Sequence, residues 1–448
     1  PSVGGALIGE ALVVILLGPP LRLIDSRILL FPLAKDLVAI AIAGLIALAM
    51  ASAIYEGISH LRPLASRLAL AIAPMFVALP ILGIQFLVFS EELVGTTVLP
   101  DDVPITDRAV VERVASGIRL PTSLAADSTG RIIATDFRSG DIWLIEPSPE
   151  GNWSKILFAK VPLPEGIVQH EGLWHAALNP EETYVYAFAT ATVNPDTSSR
   201  TGATSRVVRF PYDDGEAGPM EVVLSSLPSA VSHAGGALTF GPDGNLYLTI
   251  GDVYLHMQAR SPRGITGSIL RYTPEGDIPV DNPFLGSPVY AYGFKNPYGL
   301  AVHPENGMIY TTENGSACCD RLIRVERGRF HGWPVYGARP SDSKRMESDP
   351  KVVAPLYDTG IARIAPAQVI IYGGNQYGDE FKGSLFFVAF NSGAIYRAVV
   401  SDAGSELISM EVIWQSDPPR GLTGITVGAH GYIYFGGIDG IFRILSFD

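Results

Sequence analysis

After residue 110 one pattern keeps returning. A Gly- or Pro-flanked apolar strand leads into a Pro-Asp-Gly-like turn, and an aliphatic–aromatic strand follows. Copies start at Pro121 (PTSLAADSTGRIIATDF), Glu171 (EGLWHAALNPEETYVYAFAT), His233 (HAGGALTFGPDGNLYLTIGD), Asn296 (NPYGLAVHPENGMIYTTENG) and Gly421 (GLTGITVGAHGYIYFGGIDGIFRI). A weaker copy is formed by APAQVIIYGG and GSLFFVAFNSGAIYRAVV. The alternation within each copy has the period of a sheet. A spacing of about 50 to 70 residues suits one four-stranded blade plus a loop. No blade can bury both faces alone, so the blades must pack in a ring. Six copies predict an all-β six-bladed β-propeller over 110–448. The strand-like VVERVASGI from Val110 is expected to close the ring against the last blade.

The first 95 residues are of another kind. Hydrophobic residues make up 47% of the 448-residue chain, and the excess sits here. Three apolar stretches run from Val3 to Leu17, Leu37 to Ile54 and Leu68 to Phe89, the first containing Glu10. A helix needs about 20 residues to cross a bilayer core. Residues 1–95 are therefore expected to be an α-helical membrane region of two to three transmembrane helices, with 96–109 as linker. Arg62 and Arg67 before the third stretch, and Glu91, Glu92, Asp101 and Asp102 after it, put the propeller on the extracytoplasmic side of a multi-pass cell-membrane protein; Arg22, Arg27 and Lys35 point the other way. Three segments exceed what a tether requires, which suggests subunits of a membrane complex, besides lipid, as partners. The formal charge of −13 argues against nucleic acid.

A propeller presents its chemistry on loops at one axial end. His233 precedes Gly235-Gly236 and an inner strand, where two glycines let a backbone or a flat ligand come close. A lone His there is either a structural hydrogen-bonding residue or a proton acceptor. Lys295-Asn296-Pro297 stands at the equivalent point of the fourth copy. It is either a surface Lys in an Asn-Pro turn or a cation able to stabilise a developing anion. The run from Glu313 to Asp320 offers carbonyls and carboxylates of the kind that suit Ca²⁺, without EF-hand spacing. The chain's two cysteines, Cys318 and Cys319, fall in the same run. Two free, partly buried thiols are the default expectation, and a vicinal disulfide is the alternative.

The run HAGGALTFGPDGNLYLTIGD, GSILRYTPEGDIPVDNPF, VYAYGFKNPYGLAVHPENGMIYTTENG and RVERGRFHGWPVYG resembles the PQQ-dependent glucose/sorbosone (aldose sugar) dehydrogenase family over roughly residues 110–446. That resemblance implies a six-bladed propeller binding pyrroloquinoline quinone (PQQ) and Ca²⁺ on its axial face. It also implies oxidation of an aldose, or a related small alcohol, at C1 to the lactone. It makes His233 the general base, Asn296 a cofactor contact, and Lys295 the counterpart of an Arg that polarises the quinone. Gly315 and Ser316 become the carbonyls that hold Ca²⁺, and His170 lies near a substrate-side glutamine. With no haem-attachment motif in the chain, electrons would leave to a membrane quinone or a cytochrome.

Two departures stand out. Asn391 occupies a position where soluble members carry a cofactor-binding Lys. Gly421-Leu422-Thr423-Gly424 replaces an Arg-x-Arg-Asp run that pairs with the cofactor carboxylates. Each lost charge-assisted hydrogen bond is worth about 1.5–3 kcal/mol. Arg363, Lys382 and Arg420 are the candidate replacements. Two other functions compete: a degenerate propeller serving as an accessory or docking subunit of a membrane complex, and a Ca²⁺-dependent lactonase-like hydrolase.

Overall fold

The computed structural model describes residues 99–447, apart from 148–151, 168–169, 195–200, 317, 418, 420 and 439. The three apolar stretches within residues 1–95 lie outside these. Among the described residues no helix is long and apolar enough to cross a membrane.

Five of the six copies begin with a hairpin whose turn chemistry is visible in the sequence; in the fifth, a longer loop joins Pro366–Ile371 to Leu385–Ala389. Asp127, Asn179, Asp243 and Asn306 accept backbone N–H bonds from residues two to five positions on, the Asx-type contact that nucleates a turn. Gly130, Gly244, Gly307 and Gly431 then supply the left-handed residue, with φ of 96°, 72°, 70° and 80°. In the second blade Glu182 adopts φ 54° at that place.

The hairpins grow into six antiparallel sheets, each built on a path of four strands. They span residues 124–160, 173–230, 235–292, 297–358, 366–415 and 422–447. The second carries an extra two-residue strand, Glu216–Ala217, and in the fourth a short helix, Asp342–Glu347, lies between the third and fourth strands. The sixth has only three strands of its own. Its fourth is Ala109–Ser116, which pairs antiparallel with Gly440–Phe447 from Ala109↔Phe447 to Ser116↔Gly440. The closure expected of the Val110 strand is therefore present, and joining the first and last strands of the propeller in one sheet leaves no open seam. Each inner strand packs on the inner strands of both neighbouring blades, so the contacts close on themselves.

Burial explains why these strands are so apolar. Ile132–Thr135, Leu246–Ile250, Leu385–Ala389 and Ile433–Gly437 are buried along their whole length, since a blade has neighbours on both faces. The cores lie between blades. Phe387 and Tyr396 of the fifth sheet stack with ring centroids 4.7 Å apart and share a buried cluster with Tyr310 and Leu322 of the fourth, and Phe381 lies on Phe447 of the closing sheet at 4.6 Å. Gln368, on the fifth inner strand, ties the inner strands of the sixth and first blades together. Its side chain accepts from the N–H groups of Leu124 and Ile425 and donates to the Leu124 carbonyl.

Five of the inner strands carry a register shift near their first residues: between Leu173 and His175, Gly235 and Leu238, Pro297 and Gly299, Pro366 and Val369, and Leu422 and Ile425. Such irregularities bend a strand and re-aim its side chains. Here they stand directly after the loops that carry the candidate residues.

Candidate active site

Strand alternation sorts the loops. The loops entering each inner strand, and those joining second to third strands, emerge at the same end of the ring. Residues 170, 233, 295–296 and 363 belong to the first set, and 252–267, 314–320 and 391 to the second. The sequence candidates therefore share one face. Lys382 does not, because it follows the first strand of its blade and emerges at the opposite end, paired with Asp379 at 2.7 Å. It is excluded as a replacement cation. Arg420 lies outside the described residues.

His233 sits in a left-handed backbone conformation, φ 58°. Its Nδ1 is 3.0 Å from Oδ1 of Asp252, and its ring stacks on Tyr254 at 4.4 Å. An ionised carboxylate only accepts, so Nδ1 carries the hydrogen and Nε2 keeps its lone pair. Burial pushes the imidazole below its ordinary value, the Asp252 bond opposes this, and Lys295 adds to the depression. His233 is thus neutral at neutral pH and fit to accept a proton.

Asp252 is fully buried. Its Oδ2 accepts from Trp333 Nε1 at 2.7 Å and from His256 Nδ1, and its Oδ1 accepts from the Tyr254 N–H. Burial pushes the carboxyl up, but the bonds to both histidines outweigh it and hold the group below the usual carboxylate range. Nothing in the sequence alone assigns a role to Asp252, His256 or Trp333. Trp333 is 81 residues from its partner. A polar residue following the second strand of a blade recurs as Asp136 and Asn391, and that repetition was the available signal.

Lys295 joins this cluster to the next blade. Its carbonyl accepts from the Asp252 N–H at 2.7 Å, its N–H donates to Glu313 Oε1 at 2.6 Å, and its ammonium donates to the Gly315 carbonyl. The side chain is 5% exposed, which rules out a free surface Lys. Burial holds its proton affinity below the ordinary lysine value, Arg363 adds to this, and Asp252, Glu313 and Asp320 only partly oppose it. Asn296 Oδ1 accepts from the Gly235 N–H at 3.1 Å and keeps Nδ2 as a donor. The two glycines admit protein and not ligand: a Cβ at Gly235 would stand 2.6 Å from the Thr249 carbonyl, and one at Gly236 2.9 Å from Trp174.

The segment from Glu313 to Asp320 is tightly held. Glu313 is fully buried and pairs with Arg321 through Oε2. Asp320 accepts from the N–H groups of Gly315 and Ala365, both at 2.8 Å, and burial raises its carboxyl above the ordinary value. Cys318 and Cys319 form a disulfide and are both buried, which overturns the expectation of free thiols. Ser316 is exposed. His170 is exposed on the same face, within electrostatic reach of His233, and its carbonyl accepts from Trp174 Nε1. Arg363 is half-buried, acts electrostatically on Lys295 and Asp320, and makes no ion pair or side-chain hydrogen bond among the described residues. Asn391 Nδ2 donates to its carbonyl at 3.0 Å.

A separate cavity of about 310 Å³ occupies the channel below, lined by inner-strand residues with His175 and Gln368 among them. It contains neither His233 nor Lys295. No group of three or more His, Cys, Asp or Glu among the described residues could hold a metal ion, so the ligand set a lactonase needs is not found there.

A profile of the family described as Glucose / Sorbosone dehydrogenase matches residues 118–439. Quinoprotein glucose dehydrogenase B of Acinetobacter calcoaceticus is 28% identical over 259 residues, 51% of this chain and 53% of that protein, so the match spans about half of that relative's length. A solved putative oxidoreductase (glucose dehydrogenase) of Thermus thermophilus is 28% identical with a TM-score of 0.62, covering 75% of this chain and 100% of its own. The PQQ-bound aldose sugar dehydrogenase of Streptomyces coelicolor is 23% identical with a TM-score of 0.61, covering 76% and 98%, a likeness of fold alone.

Proposed function

Because the chain belongs to the glucose/sorbosone dehydrogenase family, we propose that it oxidises sugars, and more narrowly that it converts an aldose to its lactone at C1 with PQQ as the hydride acceptor. The observation that carries this reading is the His233–Asp252 bond beside the buried Lys295. It places a neutral base with a free Nε2 next to a fixed positive charge.

The residues of this face fit a planar, anionic acceptor. Among the described residues Arg363 leaves its guanidinium uncommitted, Lys295 brings a second cation, and Asn296 Nδ2 is a donor. Bound there, PQQ would supply the two-electron acceptor. The protein's own part is proton chemistry and charge. His233 Nε2 takes the hydroxyl proton of the sugar, and Asp252 stabilises the resulting imidazolium. Lys295 and Arg363 balance the negative charge of the acceptor. Membrane anchorage through residues 1–95, an extracytoplasmic propeller and a membrane quinone or cytochrome as electron acceptor complete the proposal, supported by the three apolar stretches.

Titrating the purified chain with PQQ tests it. A cofactor absorbance band that aldoses bleach is expected. No binding at micromolar PQQ, with or without added Ca²⁺, would contradict the reading and favour the accessory subunit. One observation supports that second reading: Gly421-Leu422-Thr423-Gly424 brings no cation to the face, and Thr423 is buried with its hydroxyl donating to the Pro121 carbonyl at 2.9 Å.

A further inference from the structure

We propose that the Lys295 ammonium stands where a divalent cation would sit at Gly315, so that this chain takes its anionic acceptor without Ca²⁺. The inference rests on the function proposed above for the identity of the acceptor. The Gly315 carbonyl already receives Lys295 Nζ. The Gly315 N–H donates to Asp320 Oδ1, and a Cβ at 315 would stand 1.8 Å from the Cys318 carbonyl oxygen, so the residue sits in a tightly packed turn.

A protein Ca²⁺ site gathers six to eight oxygens, carboxylates among them to balance the charge. Each nearby carboxylate oxygen already accepts at least one hydrogen bond within the fold. Glu313 directs one to the Lys295 N–H and the other to Arg321. Both oxygens of Asp320 are held by the N–H groups of Gly315 and Ala365. Those of Asp252 are taken by His233, His256, Trp333 and the Tyr254 N–H. A dication at Gly315 would instead meet two cations, Lys295 and Arg363, whose fields already overlap at Asp320.

The ammonium can do the metal's bridging work. It has three donors, one of which is directed at Gly315. The others can point at acceptor oxygens as a compact point charge, which a planar guanidinium paired at this carbonyl could not do in the same way.

The test uses the full chain, freed of metal with EDTA, and its Lys295→Gln variant. PQQ binding is followed by absorbance with and without Ca²⁺, and Ca²⁺ is also titrated into each protein alone by calorimetry. Wild type is expected to bind PQQ equally with and without Ca²⁺ and to give no Ca²⁺ heat. Lys295→Gln is expected to bind PQQ about tenfold more weakly in EDTA, having lost a charge-assisted contact, with added Ca²⁺ restoring it. Lys295→Arg keeps the charge and controls for folding, but without the compact ammonium it is expected to bind PQQ in EDTA more weakly than wild type. Wild-type PQQ binding that requires Ca²⁺, or a Ca²⁺ heat that Lys295→Gln does not enhance, overturns this inference and leaves the proposed function standing. Failure of PQQ to bind under any condition overturns both.

Discussion

His233 and Asp252, 19 residues apart in sequence, meet at 3.0 Å between Nδ1 and Oδ1. This bond fixes the tautomer on which the proposed chemistry depends. Asp252→Asn can present an amide N–H to Nδ1 and reverse the tautomer, which would place the hydrogen on Nε2. Turnover is expected to fall by about 10²–10⁴, the usual worth of a positioned base, while PQQ affinity changes little. Steady-state kinetics alongside a PQQ titration check this.

His256 occupies the other oxygen of Asp252, with its side chain 45% exposed. A proton on His256 repels one on His233, and this effect contributes to the depressed basicity of His233. His256→Gln keeps a donor for Asp252 but cannot become charged. In that variant His233 is expected to titrate at higher pH than in wild type. Histidine NMR titration of the two proteins reads the shift; His233 titrating unchanged would show that the two rings are independent.

Two histidines away from the site set an acid limit on stability. Burial pushes His175 and His331 down to about 3. Unfolded, each takes up its proton near the ordinary value of about 6.5. Folded-state values below the unfolded ones mean that the native state has its full advantage above that pH and loses it as the pH falls toward 3. Each group should contribute roughly 1.4 kcal/mol per pH unit to this loss. Urea midpoints measured from pH 7 to 4 should fall accordingly, and less steeply in His175→Gln.

The loop from Gly315 to Asp320 gives two further expectations. Thiol titration of the native protein should find no free cysteine, and reduction with denaturation should reveal two. Gly315→Ala puts a Cβ 1.8 Å from the Cys318 carbonyl oxygen, so the loop must move. A loss of about 1–3 kcal/mol in urea denaturation is expected, and Lys295 should lose its carbonyl partner.

The repeat was legible because each hairpin announces itself through residues that only a turn favours, such as Asn306-Gly307, with buried strands alternating between them. His233 and Lys295 were legible for a related reason: they stand at equivalent points, just before inner strands. Asp252 lay in the same motif yet gave no sign of its partners, because the loop holding Tyr254 and His256 has no period and Trp333 arrives from another blade. The pairing of Cys318 with Cys319 was not legible either. Adjacent cysteines leave both states open until the backbone between Gly315 and Asp320 is known. The Lys295–Gly315 contact crosses 20 residues, and no spacing rule marks it, although it decides what the neighbouring carbonyl can bind.

Single-turnover reduction of the PQQ-loaded chain by an aldose carrying deuterium at C1 tests the central claim most directly. The cofactor band should bleach, more slowly with the deuterated sugar than with the protiated one. His233→Gln should bind PQQ but fail to bleach it. Bleaching by no aldose at saturating PQQ, or bleaching in His233→Gln at the wild-type rate, would contradict the account.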